Sequence, residues 1–201
     1  MAQTVTFNGG SFDITNDGGA GTKLLTPKPS NFNSSNDNPS YIFKNSNNSV
    51  IKGLGFQGDD LGINISVSSR GMDSAIDSTF SFGSADDTLI IGSSTNNKFF
   101  MGDGNNEVTF SYRSTNDVVN VGVGSDTITF GQSINNTLVQ LTTDYSVDTI
   151  KLSTNTNPTN LRITGAMDMD VLFIGTTQYN YESSTNLWVN KDDSMDTKNF
   201  S

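Results

Sequence analysis

A unit of about 20 residues recurs along this chain and limits the possible folds more than any other feature. Cut before each apolar pair, the rows read FSFGSADDTLIIGSSTNNK from Phe80, FFMGDGNNEVTFSYRSTNDV from Phe99 and VNVGVGSDTITFGQSINNT from Val119. A looser row starts at Leu138 and an earlier one at Tyr41. The acidic or amide residue ahead of each second apolar run gives an anchor series: Asn48, Asp87, Asn106, Asp126, Asp148 and Asp170, at steps of 39, 19, 20, 22 and 22. The first step covers close to two periods, and the row expected in between, around residues 61–78, is poorly formed. Six or seven coils are expected on this spacing.

Each row holds two short alternating runs and two turns, which predicts two strands per coil with inward and outward positions two residues apart. In the second strand Leu89 and Ile91, Val108 and Phe110, Ile128 and Phe130, and Ile150 and Leu152 face inward, while Thr88, Glu107, Thr127 and Thr149 face outward. The first strand does the same with Phe80 and Phe82, Phe99 and Met101, and Val119 and Val121. Helical periodicity is nowhere sustained. The expected fold is all-β, a single β-solenoid of the β-roll kind with coils of about 20 residues and capping strands at both ends. Coils stacked at about 4.8 Å would make a rod roughly 30 to 35 Å tall.

Composition then sorts the function classes. Ser, Asn, Thr, Gly and Asp make up 113 of 201 residues, yet 13 Phe and 5 Tyr placed in alternating runs set the chain apart from a disordered one. With no Cys and no His, a Ser-His-Asp or Cys-His relay, a thiolate or imidazole zinc site and a disulfide framework are all excluded. Eleven Lys plus Arg against 21 Asp plus Glu give a net charge of −10 without a basic run, which argues against nucleic-acid and anionic-membrane partners. The first residues carry neither a charged nor an apolar leader segment, and no run approaches the roughly 20 apolar residues of a membrane span, so no membrane insertion is expected.

The turns repeat as well. Asn96, Asn116 and Asn135 fall at steps of 20 and 19 and are expected to stack as an amide ladder. The turn after the first strand reads GSADDTL from Gly83, GDGNNEV from Gly102 and GVGSDTI from Gly122. Over about residues 80–130 this resembles the glycine-rich nonapeptide of RTX, hemolysin-type calcium-binding repeats. That resemblance implies a β-roll holding Ca²⁺ between turns, with Asp86, Asp87, Asp103, Asn106 and Asp126 as ligands, since Ca²⁺ gathers about six to eight oxygens. Phe82, Met101 and Val121 stand where the family has the leading glycine, and only one turn per coil carries the pattern. A turn of Gly, Asp and Asn stacked without metal is the competing expectation.

Three regions follow: residues 1–40 as an N-terminal capping strand and proline-containing arm, 41–178 as the solenoid, and 179–201 as an aromatic cap and acidic tail. No catalytic constellation emerges. The acidic pairs Asp59 with Asp60, Asp168 with Asp170 and Asp192 with Asp193, readable as the carboxylates of a polysaccharide depolymerase, fit solvated loops better. The expected function is a non-enzymatic structural protein, a capsid decoration protein or fibre module at a virion surface, bound to a capsid or other virion protein or to itself. The composition is similar in style to phage virion structural proteins. The alternative is a secreted, RTX-like calcium-binding adhesin or surface-layer module at a bacterial cell surface.

Overall fold

In the computed structural model, residues 3–7, 11–14, 21–27, 40–43, 46–47, 49–53, 64–67, 75–156 and 158–201 are described, with side chains from residue 64 onward. The chain is an all-β parallel solenoid, with no helix among the described residues. One sheet stacks Gln3–Phe7, Gly21–Pro27, Ser49–Gly53, Thr79–Ser81, Lys98–Phe100, Val118–Asn120, Leu138–Gln140 and Arg162–Thr164. The second stacks Ser11–Ile14, Ser40–Phe43, Asn64–Val67, Thr88–Thr95, Glu107–Thr115, Thr127–Phe130, Thr149–Leu152 and Val171–Ile174. Each ladder holds eight parallel strands among the described residues, and about five turns of the stack lie about 20 residues apart. The earlier rows are longer: Ser40 pairs with Asn64 and Asn64 with Thr88, 24 residues each time.

Period-two alternation decides which side chains meet. Leu89, Ile91, Val108, Phe110, Ile128, Phe130, Ile150 and Leu152 are all buried, as are Phe80, Phe82, Phe99, Met101, Val119 and Val121. The two sheets meet through an aromatic file. Ring centroids lie 5.1 Å apart for Phe80 and Phe99, 5.4 Å for Phe99 and Phe110, and 5.0 Å for Phe110 and Phe130. Offset and edge contacts at this distance add to the burial of each ring.

A coil has three parallel segments, not the two expected. After Ile91 the register slips by one residue, and the rest of Thr88–Thr95 pairs with Ala75–Ile76 on one side and Arg113–Thr115 on the other. Ser133–Asn135 and Pro158–Thr159 continue this third ladder. Its inward positions are Ala75, Ser94, Ser114 and Ile134. Small polar side chains can sit there because the column beside them supplies hydrogen bonds, described below. In the poorly formed row at 61–78, Asn64–Val67 and Ala75–Ile76 join the stack, with Ile65, Val67 and Ala75 buried.

The ends also differ from expectation. Gly21–Pro27, inside the expected arm, pairs in parallel with both Gln3–Phe7 and Ser49–Gly53. Pro27 closes that strand, a position that tolerates its missing N–H. At the other end the parallel order stops at Val171–Ile174. Thr177–Glu182, Leu187–Asn190 and Thr197–Lys198 then add an antiparallel meander with Tyr179 and Trp188 buried. The last residues are part of the cap: Ile163 N–H donates to Phe200 O at 2.6 Å, and Phe200 packs on the core. The tail thereby covers the last edge of the first sheet, an edge that would otherwise invite further pairing.

Candidate functional site

The residues with chemistry to offer stand in columns, one per turn. In the turn leading into the second sheet, Asp87, Asn106, Asp126, Asp148 and Asp170 occupy successive coils and are all buried. From Asn106 onward each lends one side-chain oxygen to the backbone N–H of the coil before. Asp87 N donates to Asn106 Oδ1 at 3.0 Å, Asn106 N to Asp126 Oδ1 at 2.8 Å, Asp126 N to Asp148 Oδ1 at 2.9 Å, and Asp148 N to Asp170 Oδ1 at 2.9 Å. Met167 N closes the last rung on Asp170 Oδ2 at 2.7 Å. A chain leaving a strand at a corner has N–H groups with no strand partner, and a short acidic or amide side chain satisfies them locally. The anchor series read from the sequence is this column from Asp87 onward. Asn48 lies outside the described residues, and the strand after it, Ser49–Gly53, belongs to the first sheet, so it does not continue the series.

At the corner entering the first sheet a second column does the same work. Asp77, Asn96, Asn116, Asn136 and Asn160 take positive φ between 49° and 58°, a conformation Asn and Asp tolerate better than other side chains. The exposed amides pair where Asn116 Nδ2 donates to Asn96 Oδ1 and Asn160 Nδ2 to Asn136 Oδ1, at 3.1 and 2.9 Å. The amides form two separate pairs, not one continuous ladder, and the third position is held by Asn136, not Asn135, because Asn116 N bonds to Asn135 O. The residue following each αL position points inward. Asn97 N donates to Asp117 Oδ1 at 2.8 Å, and Asn97 Nδ2 reaches Ala75 O, Ser94 Oγ and Thr95 O. Asp117 Oδ2 accepts from Ser114 Oγ at 2.7 Å and Thr115 N at 3.0 Å. Sequence reasoning misses Asn97 and Asp117 as a pair; their signal is the dipeptide Asn-Asn or Asn-Asp at a fixed place in the row.

The five residues drawn from the calcium-roll resemblance divide into two files. Asp87, Asn106 and Asp126 lie in the buried column, while Asp86 and Asp103 lie on the exposed edge of the same turns. Asp86 Oδ1 accepts from Asn105 N at 2.6 Å, and Asp103 Oδ1 from Val123 N at 3.0 Å. Asn105 Oδ1 continues the outer file by accepting from Ser125 N. Gly102 and Gly104 hold φ of +73° and +96°, and a Cβ on Gly104 would meet Ala85 O at 2.5 Å, so the turn backbones stack too closely for any other residue. Their carbonyls do converge, but on an amide: Asn106 Nδ2 stands 3.3, 3.2 and 3.2 Å from Gly102 O, Asp103 O and Gly104 O.

Compared with known protein families, curated proteins and solved structures, the chain matches none. Its chemistry therefore rests on geometry. Among the described residues no three acidic side chains gather as a metal-ligating group. In the coil of Asn106 the amide nitrogen fills the carbonyl cradle, so the calcium implied by the resemblance does not fit there. Asp126 repeats the position with a carboxyl, and its Oδ2 is buried without a hydrogen-bond partner. Burial pushes Asp126 and Asp148 up to about 7, opposed by the backbone N–H bonds and reinforced by neighbouring carboxylates. Burial also raises Asp170 and Asp117.

The remaining acidic pairs are separated by their surroundings. Asp170 is buried in the column whereas Asp168 sits at the surface and accepts from Ser183 N at 2.6 Å. Asp192 and Asp193 are exposed in the last turn before Thr197–Lys198. Asp59 and Asp60 lie outside the described residues.

Proposed function

We propose that the chain is a non-enzymatic structural module, a β-solenoid rod that works as part of a larger assembly such as a virion surface, in the role of a capsid decoration protein or fibre module. The observation that carries this reading is the use made of the acidic and amide side chains. Asn106, Asp126, Asp148 and Asp170, and Asn97 with Asp117, accept backbone N–H groups from coil to coil, so these side chains hold the backbone in register. The two ends support assembly. The cap and Phe200 close one end, while at the other, among the described residues, Gln3–Phe7 and Ser11–Ile14 pair on one side only. An unpaired strand edge accepts a further strand from a partner chain.

The test is abundance in purified particles. Stoichiometric copies in virions, retained through washing, are the expected result, and absence from particles refutes the virion role. The adhesin reading has one observation in its favour, the unpartnered Asp126 Oδ2. It requires calcium to raise the melting temperature and EGTA to lower it.

A further inference from the structure

Two stripes of opposite charge run along the flank of the rod. In the first sheet each three-residue strand buries its middle residue and turns the other two outward. Lys98, Val118, Leu138 and Arg162 pair in register from coil to coil and so form one outward column, with Phe100 exposed beside Lys98. Lys98 and Arg162 are exposed, Val118 and Leu138 half-buried. None of the outward positions from Thr79 to Thr164 carries a carboxylate, although the net charge of the chain is −10. Among the described residues neither cation of the column forms an ion pair.

The second stripe is the outer edge of the turns that lead into the second sheet. Through the same four coils it presents Asp103, then Val123, then Tyr145 and Val147, then Asp168 and Met169. The four apolar side chains are each at least 40% exposed. Stacking does not demand them, since the earlier turns show Ser84, Asp86, Asp103 and Asn105 on the same exposed edge. No Lys or Arg occurs in these turns. Asp103 Oδ1 accepts from Val123 N and Asp168 Oδ1 from Ser183 N, so both carboxylates are held in place before any partner arrives.

The spacings match. On each stripe two like charges stand three coil steps apart, about 14 Å at about 4.8 Å per step, with apolar side chains between them. We propose that the first-sheet face of one copy docks on the turn edge of a second copy, rod axes parallel. Lys98 then meets the partner's Asp103 and Arg162 meets the partner's Asp168, while Val118 and Leu138 cover the partner's Val123, Tyr145 and Val147. An apolar centre with charges at its rim is how protein contacts are built, and the charge pattern fixes the register. Because the two surfaces differ, the contact is heterologous: each copy still offers one face and one edge, so association proceeds past the dimer to a ring or an open array. The flank is distinct from the open strand end described above, and the contact stands whether or not the rod belongs to a virion.

Sedimentation velocity of the full chain tests the contact, at concentrations up to about 0.5 mM because a small contact is weak, and in about 0.1 M salt to screen the net charge. Wild type should associate reversibly, with species beyond the dimer at the highest concentrations. Lys98→Glu with Arg162→Glu reverses the face, and Asp103→Lys with Asp168→Lys reverses the edge. Each double variant alone should associate at least about 100-fold more weakly, because like charges then meet. Mixed in equal amounts, the two restore opposite charges at both contacts and should associate as wild type does. Tyr145→Ser changes an exposed side chain outside the buried rungs and should weaken association about 10-fold at an unchanged melting temperature. Thermal melts show that each variant is folded, and if the edge variant is not, the face variant and Tyr145→Ser decide. A wild type that stays monomeric throughout, an association that survives the reversals or Tyr145→Ser, or a mixture of folded variants no better than its parts overturns the proposal.

Discussion

Asn106→Asp is the most demanding test of the column, because it changes one atom and leaves the shape alone. The Oδ1 bond to Asp87 N survives, but the donor facing Gly102 O, Asp103 O and Gly104 O disappears. Buried acceptors that lose their partner cost about 1 to 3 kcal/mol, and the three long bonds share two hydrogens, which favours the lower half of that range. The new carboxylate also stacks on Asp126. One coil away, at about 4.8 Å and an effective dielectric of about 20, two full charges repel by about 3 kcal/mol. At alkaline pH the total is about 3 to 5 kcal/mol, whereas in acid a protonated carboxyl restores one donor and the charge term vanishes, leaving about 1 kcal/mol. For a chain of this size about 1 kcal/mol moves the midpoint by roughly 2 to 4 °C. Circular-dichroism melts should therefore show a drop roughly 5 to 15 °C larger at about pH 9 than at about pH 5. An equal drop at both pH values, or none at the alkaline one, refutes the reasoning that this rung requires a donor.

Asp117→Asn should cost stability. Asp117 Oδ2 receives the Thr115 N–H, which an amide nitrogen cannot accept, so denaturant unfolding should show a loss of about 1 to 2 kcal/mol. Phe110→Ala removes a ring between Phe99 and Phe130 and should cost about 3 to 5 kcal/mol, read as a lower urea midpoint. Tyr112→Ala, at a position 51% exposed, should stay within about 0.5 kcal/mol in the same assay. Trp188→Ala opens the cap and should promote self-association, seen as light scattering at temperatures where wild type stays clear; a variant that melts early yet remains clear would show that the meander does not guard the edge.

Legibility of the fold tracks how apolar each inward position is. Phe80 through Leu152 alternate cleanly because the inner faces of the two sheets meet in one aliphatic and aromatic core, and the inward positions expected there are the buried ones. The third segment is hidden because Ser93, Ser94 and Ser114 bury hydroxyls beside Asn97 and Asp117, and buried serines look like loop in a sequence. The cap's end is hidden for a related reason: Thr197–Lys198 and Phe200 are set among Asp, Ser and Asn, and their pairing depends on a strand edge made elsewhere in the chain. The site is half legible. Spacing locates Asp87, Asn106, Asp126, Asp148 and Asp170, but no spacing tells whether a carboxylate faces donors, as Asp117 does, or carbonyls, as the place of Asn106 does.

These columns explain why the period can vary without breaking the stack. The rungs fix one residue per turn, whatever the number of residues between them: 19, 20, 22 and 22 along the second-sheet column. In the coil of Asp148 the extra residues go outward, where Asp144 ties the turn to Gly124 N and Ser146 N and Tyr145 projects at 91% exposure. The buried side of the same turn is unchanged, since Asp148 still receives Asp126 N and still donates to Asp170. Length and side-chain character can therefore drift along the outer edge, from Asp86 and Asn105 to Val147 and Met169, while the register inside is held. A rod built this way separates two tasks: the inward polar rungs set the register, and the outer edge can change without disturbing it.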